Sequence, residues 1–207
     1  MTPPKAVFWD IGNVLLDWSP DRLYERLIPD EAARRAFYDR VGVDEMNLAG
    51  DRDGDLQAKV EALAERHPDD AALILPWWAG WDRMCGGLAE GPVALRDGLR
   101  AAGVRCWALS NFAADSWLRA EALYPPLVAF DGLVISGREG AIKPDERIYE
   151  IAETRVGLPG ETLFFIDDKE ANIEAARARG WRGVVFNGLT QPVEDLKAAL
   201  AEVGLVS

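Results

Sequence analysis

Histidine is almost missing from these 207 residues; the one present is His67. A Ser-His-Asp hydrolase needs a histidine base, and there is no Gly-x-Ser-x-Gly turn to carry a nucleophilic serine, so the sequence argues against that class. His67 stands just ahead of Pro68 and reads as a surface or helix-end residue. Cysteine is nearly as scarce. Cys85 and Cys106 make no disulfide framework, and a reducing, cytoplasmic setting is expected. No apolar run approaches the length needed to span a bilayer, so no membrane partner is expected. The start, Met1-Thr2-Pro3-Pro4-Lys5, lacks the basic residues and apolar stretch of a signal peptide. Positive charge is also short. The formal net charge is -12, whereas binding to a phosphate backbone needs clustered Lys and Arg, so nucleic acid is not expected either. A small anion remains compatible, because a bound cation can reverse the local field.

The composition is otherwise that of a globular chain, 49% hydrophobic and 28% charged, long enough for one good core with a small insertion. The eight tryptophans read first as core filling. The apolar runs at 5–9, 105–110, 132–136, 163–166 and 183–186 are short and bounded, as buried strands are. Helical spacing covers 92–102, 115–124, 144–156, 170–179 and 193–203. Strands alternating with helices imply an α/β fold, a Rossmann-like, doubly wound parallel sheet. Residues 19–88 interrupt the alternation. Ser19-Pro20 reads as an N-cap and first-turn proline, with Leu23 and Leu27 following at helical spacing. Helices are expected at 31–41 and through Leu56, Val60 and Leu63, and helical pieces at 73–81 around Pro76. Nothing from residue 19 to 85 reads clearly as a strand. The block is taken as a helical cap, 19–88, inserted into a core of 1–18 and 89–207.

In a parallel sheet, ligands bind beyond the carboxyl ends of the strands. The informative polar residues sit at such ends. Asp10 follows Val7-Phe8-Trp9, Ser110 and Asn111 follow Cys106 to Leu109, and Asp167 and Asp168 follow Leu163 to Ile166. Lys143 precedes Pro144 shortly after the strand at 132–136. These positions are distant in sequence, yet the topology gathers them at one sheet edge. Adjacent carboxylates such as Asp167 and Asp168 repel unless a cation compensates, which points to a metal.

FWDIGNVLLDW (8–18), LSN (109–111), the lysine of AIKPDERIYE (141–150) and FFIDDKEANIEAARARG (164–180) resemble the four motifs of the haloacid dehalogenase superfamily, in the family's order. The position of the insert resembles the family's first (C1) cap class. The resemblance implies a magnesium-dependent phosphatase of small phosphorylated metabolites, with Asp10 as covalent nucleophile. It implies Mg2+ held by Asp10, the Gly12 carbonyl and Asp168, with Asp167 and Asn172 supporting that shell. Ser110 and Asn111 would hydrogen-bond the phosphoryl oxygens, and Lys143 would place a positive charge between Asp10 and phosphate.

One position departs from the pattern. Most phosphatases of the family carry a second aspartate two residues after the nucleophile, as general acid and base; here that position is Gly12. The family's dehalogenases also lack the acid, so a 2-haloacid dehalogenase is the alternative, though they typically carry an aromatic residue there and work without metal. A catalytically silent phosphometabolite-binding module is a second alternative. Asp-x-Gly-Asn-Val resembles a phosphatase-like subgroup that includes enzymes of sugar 1-phosphates. A cap residue or water would then supply the proton, with Asp17 as one candidate. Substrate choice is expected to fall to the insert: Asp44, Glu45, Asn47 and Arg52, with Trp18 and the group Trp77, Trp78 and Trp81. A monomer or homodimer is expected.

Overall fold

A computed structural model of the chain describes residues 2–206. The first strand, β1 (Ala6–Trp9), is apolar and buried on both faces, as a central parallel strand must be. The chain turns at once into β2 (Leu16–Trp18) and then a run of helices: α1 (Asp21–Tyr24), α2 (Glu31–Val41), α3 (Val43–Asp53), α4 (Leu56–Arg66), α5 (Ala71–Ile74) and α6 (Pro76–Ala79). It returns through β3 (Cys85–Leu88), antiparallel to β2. Helices and strands then alternate: α7 (Glu90–Ala101), β4 (Arg105–Ser110), α8 (Ala114–Leu123), β5 (Gly132–Ile135), α9 (Ser136–Glu139), α10 (Glu146–Val156), β6 (Leu163–Asp167), α11 (Glu170–Ala178), β7 (Arg182–Val185) and α12 (Val193–Glu202).

The main sheet has the order β5-β4-β1-β6-β7 and is parallel throughout. Alternate residues of a strand face opposite sides, and β1 divides accordingly. Val7 and Trp9 join the core formed with Leu99 of α7, Trp117 of α8 and Leu196 of α12, and this core continues into the helices between β2 and β3. Ala6 and Phe8 join the other core, with Ile148 and Tyr149 of α10 and Ile173 of α11. The sheet is therefore covered on both faces. The chain goes from β1 to β4 and β5 on one side of the sheet and then crosses back to β6 and β7 on the other, so the crevice at the carboxyl end of β1 is the topological switch point where such sheets bind ligands. Trp9, Trp77, Trp81 and Trp117 are fully buried, as core-filling tryptophans are. Among the described residues no helix is long and apolar enough to cross a membrane.

The insertion differs from expectation in three ways. Cys85–Leu88 is a strand, paired with β2; its two glycines disguise it, since glycine carries no strand signal. The helix expected after Ser19-Pro20 lasts one turn, without a side-chain cap, and Leu27 lies beyond it, exposed. The largest difference is α3, a full helix where no periodicity stands out. Its buried face is only Val43, Met46 and Gly50, too sparse a stripe to announce itself. Glycines in the left-handed conformation bracket it, Gly42 (φ 75°) at its start and Gly54 (φ 88°) at its end.

Candidate active site

Four strand-end segments converge. The carboxylate of Asp10, just past β1, accepts two hydrogen bonds on Oδ1, from the Ile11 N–H at 2.7 Å and from Ser110 Oγ at 2.7 Å, and the same oxygen forms an ion pair with Lys143 Nζ at 2.9 Å. Three partners on one oxygen fix the orientation of the carboxyl group. The Lys143 ammonium is fully committed: besides Asp10 it donates to Asp167 Oδ2 at 2.7 Å and to the Leu109 carbonyl at 2.9 Å. Burial works against its charge, but Asp10 and Asp167 outweigh burial and raise its pKa above the ordinary lysine value, so it stays protonated.

Asp167 is wholly buried and fully engaged. Its Oδ1 accepts from the Lys169 N–H at 2.8 Å and from Asn172 Nδ2 at 2.9 Å, and its Oδ2 from Lys143. Asn172 therefore orients Asp167, and through it Lys143. Asp168 is more open, and its Oδ2 accepts from Asn13 Nδ2 at 3.5 Å. Asn13 has φ 57°, a left-handed conformation that asparagine tolerates, and its side-chain oxygen accepts from the Trp18 N–H at 3.4 Å. It thus fastens the turn after β1 to the opposite strand end, a function that the sequence reading did not assign to it.

Ligand atoms of Asp10, Asp167 and Asp168 lie within 4.8 Å of one another. Three carboxylates against one ammonium leave two negative charges in a largely buried cluster. The strain shows in their protonation. Burial raises the Asp10 pKa to about 6; Lys143 opposes the rise, and Asp167 and Asp168 add to it. Burial, then Asp167, raises Asp168. A divalent cation would neutralise the cluster. The donors are all hard oxygens, and Asp168 has capacity to spare whereas Asp167 has none. The residues present fit magnesium.

Asp10, Ser110, Lys143 and Asp168 line a cavity of about 460 Å³ with Gly12, Asn13, Trp18, Asp44, Asn47, Leu48, Asp51, Trp77 and Lys169 among its walls, and Asp167 lies buried behind them. Asp44, Asn47, Leu48 and Asp51 are spaced i, i+3, i+4, i+7 along α3, so one polar face of that helix roofs the site. Of the residues expected to choose the substrate, Trp18, Asp44, Asn47 and Trp77 reach this cavity. Glu45 does not. It lies on another face of α3, in a separate cleft with Lys59, Arg66 and His67. Arg52 pairs with Asp145 at 3.1 Å, and Trp78 lies under the guanidinium of Arg119. Asp17 is bound to Arg22 and is not part of the cavity wall.

Asn111 also departs from expectation. Its Oδ1 accepts from the Lys143 N–H at 2.8 Å, and its Nδ2 donates to the Lys143 carbonyl at 2.9 Å. Its side chain clasps the lysine backbone instead of pointing a free amide at a ligand. Asp51 was missed by the sequence reading altogether. Its spacing puts it on one helix face with Asp44 and Asn47, but a polar face that lines a cavity and one that meets water have the same pattern.

Comparison with known proteins adds three findings. Residues 4–180 match the family model described as haloacid dehalogenase-like hydrolase. A sesquiterpene phosphatase of Aspergillus oryzae is 30% identical over 86 residues; the matched stretch is 42% of this chain and 44% of that protein, less than half of its length. Among solved structures, a haloacid dehalogenase family enzyme from Bacteroides thetaiotaomicron superposes with TM-score 0.72 at 16% identity, covering 95% of this chain and 99% of that one. The wild-type form of that enzyme in complex with magnesium and inorganic phosphate gives 0.68 at 17% identity, with 93% and 98% covered. An L-2-haloacid dehalogenase gives 0.60 at 22% identity, with 87% and 83% covered. At these identities the structural likeness concerns the fold.

Proposed function

The chain belongs to the haloacid dehalogenase-like hydrolases, and from that membership we propose that it is a magnesium-dependent phosphatase acting on a small phosphorylated metabolite through an aspartyl-phosphate on Asp10. The observation that carries this reading is the residual double negative charge of the Asp10–Asp167–Asp168–Lys143 cluster. The cavity walls add Asp44 and Asp51 against Lys169. A cavity so acidic repels an anionic substrate unless a divalent cation is present. The same observation disfavours a 2-haloacid dehalogenase: its substrate is also an anion, and the cavity lining contains no arginine to receive it.

Asp10 and Asp168 would hold the cation, with the Gly12 carbonyl beside them. Bound there, magnesium would neutralise phosphoryl charge and orient the phosphate. The chain's own residues do the rest. Ser110, Lys143 and the Ile11 N–H hold Asp10 Oδ1 and so fix the orientation of the carboxylate that attacks phosphorus. Lys143 keeps Asp10 ionised and stabilises charge as the phosphoryl group transfers. Asp167 and Asn172 keep Lys143 in place, and Asn111 clamps its backbone. The helical block between β2 and β3 acts as the cap, and α3 supplies most of its roof over the substrate.

Trp18 offers an aromatic wall beside the polar Asp44 and Asn47, a combination suited to a sugar phosphate. The Aspergillus relative's name suggests an apolar alcohol instead. A panel of sugar, acyl, aryl and prenyl phosphates, with 2-haloacids alongside, tests both the activity and the class. Magnesium-dependent phosphate release that chelator abolishes is the expected result. Halide release in excess chelator refutes the reading.

A further inference from the structure

The catalytic cavity has a second, smaller compartment of about 70 Å³, walled by Leu56, Trp81 and Phe112. Gly12, Trp18, Asn47, Asp51 and Asn111 line both spaces. Asp51 is thus a carboxyl group at the junction between the phosphate site and an apolar recess, beside the glycine that occupies the usual position of the family's acid.

Its orientation is set by a short relay. The Trp77 indole N–H, which can only donate, gives its proton to Asn47 Oδ1 at 3.2 Å. That turns the amide nitrogen of Asn47 toward Asp51 Oδ2, also at 3.2 Å. The backbone is pinned as well. Ser136 Oγ donates to the Asp51 carbonyl at 2.6 Å and accepts from the Phe112 N–H at 2.8 Å, so one hydroxyl ties α3 to the segments that follow β4 and β5. Less than one turn further along, Gly54 and Gly137 approach so closely that a Cβ on Gly54 would lie 2.3 Å from the Gly137 carbonyl oxygen. Gln57 N–H donates to Asp115 Oδ2 at 2.9 Å, and Arg52 meets Asp145 at 3.1 Å. The insertion is docked on the core through this end of α3, and Asp51 sits at the docking line.

Resting on the phosphatase reading, we infer that Asp51 is the general acid and base that Gly12 lacks, a catalytic residue delivered by the cap to the leaving oxygen of a substrate whose alcohol portion lies in the apolar recess. An oxygen of Asp10 attacks phosphorus. The bond from phosphorus to the leaving oxygen breaks, and its electron pair stays on that oxygen, which takes the proton of Asp51. The Asp51 carboxylate then takes a proton from water as that water attacks the aspartyl-phosphate. The bond from phosphorus to Asp10 breaks, inorganic phosphate leaves, and Asp51 is again protonated. Net, one water is consumed and one alcohol released.

The protonation of Asp51 suits both steps. Burial raises its pKa to about 7, Asp10 and Asp115 push it the same way, and the Ala113 N–H and Lys169 pull it down. A group half protonated near neutrality is best placed to give and take a proton there. Gly12 is the natural control, since a Cβ built on it meets nothing within 4 Å.

The test compares wild type, Asp51→Asn, and Asp51→Asn combined with Gly12→Asp across aryl and alkyl phosphates in saturating magnesium. Asp51→Asn should lose about 10²–10⁴ in kcat/KM on alkyl phosphates, whose alkoxides need the proton, and far less on esters of acidic phenols. The fall of wild-type kcat/KM on alkyl phosphates above about pH 7 should vanish in Asp51→Asn. Recovery of alkyl turnover in the double variant supports the assignment. An equal loss on every ester, or no loss on alkyl esters, overturns it while leaving the phosphatase reading intact. Wild type that hydrolyses no phosphate ester at all overturns both.

Discussion

Asp168→Asn should stabilise the metal-free protein and remove its response to magnesium. Asp168 lies within 4.8 Å of carboxylate oxygens on both Asp10 and Asp167. At an effective dielectric constant of about 20, each such pair repels by about 3.5 kcal/mol. Lys143 contacts the other two carboxylates at 2.9 and 2.7 Å and cancels part of the excess, and the cavity admits water. Discounting by half leaves about 3.5 kcal/mol relieved when the charge of Asp168 is removed. For a chain of this size that is a rise of roughly 7–14 °C in Tm in chelator. Wild type should gain about 2.7 kcal/mol when magnesium is present at a hundredfold over its Kd, and Asp168→Asn should gain almost nothing. The pH dependence has a definite sign. Asp168 has a raised pKa in the folded state, so its ionisation costs stability, and that cost appears as pH rises through the folded value. The gap between variant and wild type in chelator should therefore close as pH falls. Thermal melts with chelator or magnesium at several pH values read all of this. A variant that melts below wild type in chelator, or that keeps the magnesium shift, refutes the charge argument.

Three further substitutions probe the site. Asp10→Asn should abolish phosphate release while the protein remains folded, because the amide cannot attack phosphorus; retention of most activity would mean that water attacks directly. Lys143→Ala should cost about 10²–10³ in kcat, and a loss below tenfold would show that its contact with Asp10 does not serve the reaction. Gly54→Ala places a methyl group 2.3 Å from the Gly137 oxygen at a φ of +88°, so it should lower stability by about 2 kcal/mol or more, and kcat/KM with it as α3 lifts from the core. Circular dichroism melts and kinetics on the same preparation check both effects, and an unchanged melt would show that the close approach of the two glycines is not needed.

Much of the core was legible in the chain. β1, β4 and β6 are short apolar runs because a parallel strand is buried on both faces, and each runs straight into its polar residue: Asp10 after Trp9, Asn111 after Ser110, Asp168 after Asp167. The periods of α2, α10 and α11 were readable for the same reason, since burial on one side of a helix writes a regular stripe. Lys143 could be placed near Asp10 because both lie beyond strand ends of one parallel sheet, whereas Asn172 was placed by its resemblance to the end of the fourth motif. The roof of the site could not be read in this way. The polar face of α3 lines a cavity, and Asp44, Asn47 and Asp51 in sequence look no different from residues that face water. Glu45, one position from Asp44, points to another cleft, a difference of about 100° of helical rotation that composition does not encode. Nor does Asn111 announce that its amide will close on the backbone of Lys143, or Cys85-Gly86-Gly87-Leu88 that it will pair with β2. The sequence by itself determined the sheet and the strand ends that carry Asp10, Ser110 and Asp168, because those follow from local periodicity and chain topology; the nucleophilic role of Asp10 is what the family resemblance implies. The tertiary structure alone decided which polar face of the insertion meets the site, because that depends on contacts between segments far apart in the chain, Ser136 with Asp51 and Gly54 with Gly137, and no local pattern records them.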